Sequence, residues 1–151
     1  DGMRLIMCER QDLEEPEVTI AYHEMTESVK RVSDYVRYVD QTILCKKDNE
    51  EIAVLINDIF YFESVDKKVF VYCEKEVFRS NYKLYEFEEM LSKAGFVRVS
   101  KSVLLNIEKL MGLKTLVNSK LEARLSNGES ICVTRKYLKD IKSELLRRNK
   151  G

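Results

Sequence analysis

Phe96-Val97-Arg98-Val99-Ser100-Lys101-Ser102-Val103-Leu104-Leu105-Asn106 decides how this chain reads. Val97 and Val99 alternate with Arg98 and Ser100, the two-residue period of a half-buried strand. The alternation breaks at Ser100-Lys101-Ser102, three small or cationic polar residues, before Val103-Leu104-Leu105 re-enters a core. A polar step held between two apolar anchors presents side chains to something outside the fold. Charge narrows what that is. From residue 98 to the end there are 13 Lys/Arg against 5 Asp/Glu, net +8, and because the whole chain is neutral the first 97 residues carry −8. The stretch reads as a strand and loop facing an anion.

Outward from it, the pattern stays mainly strand. Towards the N-terminus, Thr42 to Lys46, Ile52 to Ile56, Ile59 to Val65, Val69 to Cys73 and Val77 to Arg79 are strands. Polar turns separate them at Lys47-Asp48-Asn49-Glu50-Glu51, Asn57-Asp58, Asp66-Lys67-Lys68 and Glu74-Lys75-Glu76. Tyr82 to Lys93 carries Leu84, Phe87, Met90 and Leu91 at helical spacing, and Gly95 stops it. Towards the C-terminus, Leu110 to Val117 and Leu121 to Leu125 are strands joined at Asn118-Ser119-Lys120. Asn127-Gly128 predicts a type I′ hairpin turn, since Gly accepts positive φ without a Cβ penalty, returning into Ile131-Cys132-Val133. Thr134 caps a last helix with Leu138, Ile141 and Leu145 on one face and Arg135, Lys136, Lys139, Lys142, Arg147 and Arg148 elsewhere.

The first 44 residues form an extension. Leu5-Ile6-Met7-Cys8 and the alternating Val18, Ile20 and Tyr22 predict two short strands around an acidic turn closed by Pro16. Met25, Val29, Val32, Val36 and Val39 then recur at four, three, four and three, one stripe of a helix with Thr26 as N-cap. That stripe packs either on its own domain or on a second copy.

Composition bounds the rest. A chain of 151 residues, 44% hydrophobic and 34% charged, supports one globular domain with an extension. No apolar run approaches the roughly 20 residues of a membrane helix, and charge follows Met3 to Cys8 at once, so a cytoplasmic location is expected. Cys8, Cys45, Cys73 and Cys132 lack CxxC spacing and read as buried free thiols. His23 stands alone, with no second His or Cys near it for a metal site and no nucleophile to serve. Five glycines leave no phosphate-cradling loop, and Glu14-Glu15 and Glu88-Glu89 sit where solvation is the default. No catalytic residue, cofactor, metal or small-molecule ligand is expected.

The cations gather instead at three places a β-fold can bring together: Asp66-Lys67-Lys68, Ser100-Lys101-Ser102, and Arg135-Lys136-Tyr137 at a helix start, where free N–H groups also favour phosphate. Tyr61-Phe62-Glu63-Ser64, the 96–106 stretch, Asn127-Gly128-Glu129 and Val133-Thr134-Arg135-Lys136-Tyr137 resemble the LytTR DNA-binding domain of bacterial transcription regulators, over about residues 45–146. The resemblance implies an elongated, mainly antiparallel β-fold with flanking helices (α+β), here residues 45–151 behind a strand–helix extension of residues 1–44. It also implies major-groove reading of double-stranded DNA through loops. By position the DNA-binding residues are Lys67, Lys68, Ser100, Lys101, Ser102, Arg135, Lys136 and Tyr137, with Lys139 on the exposed face of the last helix. Family members often carry His or Asn where this chain has Lys, which either donates to guanine O6 and N7 or holds phosphate. The extension does not resemble a receiver domain, so the expectation is a stand-alone regulator acting as a homodimer on paired half-sites. A β-rich protein-interaction module is the alternative.

Overall fold

The computed structural model describes residues 2–149, the last three as backbone only, so Arg147 and Arg148 lie outside the described side chains. Ten strands and three α-helices follow one another. Helix α1 spans Glu27–Tyr38, and strands β1 to β5 span Thr42–Lys47, Glu50–Leu55, Ile59–Val65, Lys68–Cys73 and Val77–Ser80. Helix α2 is Leu84–Met90; β6 to β10 are Phe96–Ser100, Val103–Asn106, Leu110–Thr115, Leu121–Leu125 and Ser130–Val133; α3 is Arg135–Asn149. All pairing is antiparallel, in a seven-stranded sheet of order β2-β1-β5-β4-β3-β7-β6 and a three-stranded sheet of order β10-β9-β8.

The continuous apolar runs mark where the large sheet is covered on both faces. Phe62 and Leu104 face a first core with Phe78, Leu84, Phe87 and Phe96, under α2. Their chain neighbours Tyr61, Val103 and Leu105 face a second core with Val99, Leu121, Ala123, Leu125 and Ile141, under the small sheet and α3. Phe62 is fully buried, its ring 4.2 Å from that of Phe87 and 5.5 Å from that of Phe96.

Turn chemistry differs from the sequence reading in one respect. The type I′ geometry belongs to Asp48-Asn49 and Asp66-Lys67, where both residues of each two-residue turn have φ between +51° and +67°. Asn127 does not adopt positive φ; only Gly128 does, at +90°. Leu125 N–H donates to Glu129 O at 2.8 Å, closing a three-residue loop with Gly128 in the left-handed position, so this hairpin is not type I′.

Other expectations shift as well. The strands expected within residues 1–24 do not form: residues 2–26 carry no helix or ladder, and Leu5, Ile6, Met7, Val18 and Tyr22 are exposed. Helix α1 is capped as expected, Val29 N–H donating to Thr26 Oγ1 at 3.2 Å. Helix α1 contacts α3 and the turn before β6, with Val29 of the stripe buried and Val32 and Val36 half-buried, while Met25 and Val39 at its two ends are exposed. The helix read from Tyr82 to Lys93 is a seven-residue α-helix followed by a 3₁₀ turn, Ser92–Ala94, that Gly95 ends at φ +89°. Of the four cysteines Cys45 is buried and Cys73 half-buried, but Cys8 and Cys132 are exposed, on the unstructured arm and an outward strand position.

Candidate nucleic-acid interface

Backbone hydrogen bonds bring the three cationic segments to one end of the large sheet. Strands β3 and β7 pair with Glu63 opposite Val103, and Ser64 N–H donates to Ser102 O at 2.8 Å. The β6–β7 tip therefore abuts the β3–β4 hairpin, whose turn Asp66-Lys67 closes between Val65 and Lys68. Thr134 N–H donates to Val99 O at 2.8 Å and sets the start of α3 beside the same tip.

Within the loops the side chains divide by what already holds them. Lys67, Lys68, Lys101 and Lys139 are exposed. Ser100 and Ser102 are half-buried, and Ser102 N–H donates to Ser100 Oγ at 3.3 Å, folding the tip so that Lys101 projects. Arg135 is not free: its guanidinium donates to Ser119 O at 2.8 Å, tying α3 to the β8–β9 loop. Lys136 Nζ lies 5.5 Å from the centroid of the half-buried Tyr137 ring, a cation–π contact that leaves the ammonium at the surface.

Two supporting features escaped sequence reasoning. Arg98 reads as an outward strand residue, yet its Nη1 donates to Lys101 O at 2.6 Å while Nε lies 3.2 Å from Glu88 Oε1. It braces the tip from behind and is itself held by α2. The second is a stacked pair, Tyr61 and Tyr72, with centroids 4.3 Å apart. Tyr61 O–H donates to Glu129 at 2.8 Å and Tyr72 O–H to Glu63 at 3.1 Å, joining the β9–β10 hairpin to β3 and β4. Burial first, and then the carboxylate acceptors, push both phenols above the ordinary tyrosine value. Only Tyr61-Phe62-Glu63 and Asn127-Gly128-Glu129 in the sequence hinted at it, and neither names its partner.

Among the described residues no group of three or more His, Cys, Asp or Glu could hold a metal ion, and no helix is long and apolar enough to cross a membrane. The end of the sheet offers exposed ammonium groups on narrow, backbone-braced tips, a donor set suited to phosphate and to guanine edges.

Comparison with known proteins agrees. The family model for the LytTr DNA-binding domain matches residues 49–146. A solved LytTr DNA-binding domain from Bacillus cereus superposes with a TM-score of 0.64 at 26% identity, covering 70% of this chain and 97% of that one. The sensory transduction protein LytT of Bacillus anthracis is 35% identical over 98 residues, 64% of this chain; the chain spans only 40% of that relative's length. An HTH-type transcriptional regulator of Staphylococcus aureus is 27% identical over 123 residues, 80% of this chain and 83% of that protein. An alignment of that length does not fit within residues 49–151, so it extends back into α1. With 49–146 inside the family's boundaries and its fold shared with a solved member, this chain belongs to the LytTR family of DNA-binding domains.

Proposed function

We propose that this chain is a bacterial cytoplasmic transcription regulator that binds duplex DNA as a homodimer on paired half-sites. In this reading residues 45–151 make the DNA contacts and residues 1–44 serve assembly. Lys67, Lys68, Ser100, Lys101 and Ser102 enter the major groove, roughly 12 Å wide, on two hairpin tips. Lys136, Tyr137 and Lys139 hold phosphate along α3. Arg135, engaged on Ser119, shapes the β8–β9 loop against the backbone. No catalysis, cofactor or small-molecule ligand enters this reading.

The observation that carries it is the pair of backbone bonds, Ser64 to Ser102 and Thr134 to Val99, that sets all three cationic segments side by side. Selection from randomised duplex DNA, followed by titration of the winner at several salt concentrations, tests it. A preferred site emerges, and affinity falls with a log–log slope of about −0.9 for each phosphate neutralised. Absence of enrichment, with a slope near zero, overturns it in favour of an interaction module.

A further inference from the structure

Two apolar surfaces of this chain face water, and each lacks what the other supplies. One is the arm before α1, where Val18-Thr19-Ile20-Ala21-Tyr22 alternates as a strand does yet has no partner strand. The other is half of a sheet face. The second core covers the large sheet only as far as Tyr72 on β4; beyond it β5, β1 and β2 have one layer. Register places Val77, Arg79, Lys46, Leu44, Ala53 and Leu55 on that open face, with Leu44 57%, Val77 43% and Leu55 39% exposed. The face ends at β2, an edge strand whose Ile52-Ala53-Val54-Leu55 run has no charge to block pairing.

We propose that the arm of one protomer adds as an antiparallel strand to the free edge of β2 in a second copy, the exchange being reciprocal. This deepens the homodimer reading above and rests on it. Side chains of the added strand alternate, so Val18, Ile20 and Tyr22 continue the open face beside Leu55, Ala53 and Glu51.

Charge selects the direction. A parallel strand with the same overlap would set Glu17 against Glu50, whereas the antiparallel one gives Glu50 the imidazole of His23.

Among the described residues the chain's own copy leaves both surfaces unpaired: residues 18–22 form no ladder within the protomer, and β2 pairs only with β1. An arm and an edge that stay apart within one copy find their partners in a second.

The test uses the full chain, by sedimentation equilibrium and amide hydrogen exchange. Wild type is a dimer with protected amides at residues 18–22. Ile20→Pro, which removes a ladder donor from a segment that pairs with no strand in the monomer, raises the dimer dissociation constant roughly a hundredfold with an unchanged melting curve. Ala53→Glu, on the exposed face of β2 beside the added Ile20, does the same from the receiving side. Mixing the two variants restores a heterodimer tighter than either homodimer, because one competent arm meets one competent edge. A monomeric wild type, an Ile20→Pro dimer of wild-type strength, or protected arm amides in a monomer each overturn the proposal. The Ile20→Pro monomer keeps its affinity for a duplex carrying one half-site. Loss of half-site binding in wild type as well would instead remove the DNA reading, leaving the sedimentation result to decide the arm.

Discussion

The backbone N–H of Thr134 donates to the carbonyl of Val99 at 2.8 Å, fixing the start of α3 to β6 one residue before the Ser100-Lys101-Ser102 tip. The bond joins the two sheets at the edge where the cationic segments meet. Because Val99 is fully buried and Val133 nearly so, the junction has little room to shift. Rigid strands therefore hold loops whose outward residues are free to vary.

The first prediction concerns the centre of the fold. Phe62 is fully buried, stacked on Phe87 and tilted against Phe96, so its removal leaves a cavity in the first core. Phe62→Ala destabilises the domain by about 3–5 kcal/mol in urea unfolding. A loss under about 1 kcal/mol would mean that the first core collapses around the gap.

A second concerns alkaline pH. Burial, then the bond to Glu129, raises the Tyr61 phenol; burial, then the bond to Glu63, raises Tyr72. Burial also pushes the Cys45 and Cys73 thiols from 9.0 up to about 11. A folded value above the unfolded one gives stability that is complete below the unfolded value and lost as pH rises through the folded one. Stability is therefore flat across neutral pH for these groups and declines from about pH 9 upward, thiols first and phenols from about pH 10. Tyr61→Phe costs about 1 kcal/mol at neutral pH, since the exposed Glu129 regains water, and makes the alkaline decline shallower. An unaltered decline in the variant would exclude Tyr61 as a contributor.

The β3–β4 turn sets stability against binding. Asp66 and Lys67 adopt φ of +52° and +67°, where a side chain costs about 1–2 kcal/mol. Glycine would remove that cost at Lys67 while adding about 0.5–1 kcal/mol of lost chain freedom. Lys67→Gly thus stabilises the domain by roughly 0.5–1 kcal/mol and weakens DNA binding. A variant that is no more stable shows that the turn is relaxed with lysine in place.

Most strands were legible because each carries its own alternation and is bounded by polar residues, as in Val69 to Cys73 after Asp66-Lys67-Lys68. The Asn127-Gly128 turn was misassigned because a glycine with positive φ suits both a two-residue and a three-residue loop; the distinction lies in the Leu125–Glu129 bond. Residues 18–22 have the strand pattern without the strand, since a ladder needs a partner and they pair with no strand among the described residues. The cationic segments could be named from the sequence, but their meeting at one end depends on the β3–β7 and β6–β7 registers, which join residues about forty apart and close together respectively. Arg135 shows the limit most plainly. Its Nη2 donates to Ser119 O, sixteen residues back along the chain, a bond no sequence pattern announces.

Phosphate anchoring is read from salt. Lys139 is exposed one turn into α3, apart from the two cationic hairpin tips. Lys139→Ala weakens binding to every duplex alike and reduces the salt slope by about one unit. A sequence-dependent loss would move Lys139 from anchor to reader.

Base reading is the sharper question, and Lys101 is the residue best built for it. Its backbone is held by Arg98, whose Nη1 donates to the Lys101 carbonyl at 2.6 Å, and the neighbouring Ser102 carbonyl accepts from Ser64 N–H. The side chain remains exposed, so the fixed backbone aims an unengaged ammonium outward. Lys101→Ala costs about 1–3 kcal/mol on the preferred site and relaxes selectivity at one base position. Arg98→Ala, which leaves every exposed lysine in place, gives a smaller version of the same loss, because an unbraced tip must be ordered on binding. Each variant is titrated on the selected site and on a scrambled duplex at several salt concentrations. If Lys101→Ala lowers both affinities equally, that tip is only an anchor, and reading falls to Lys67 and Lys68 on the neighbouring turn.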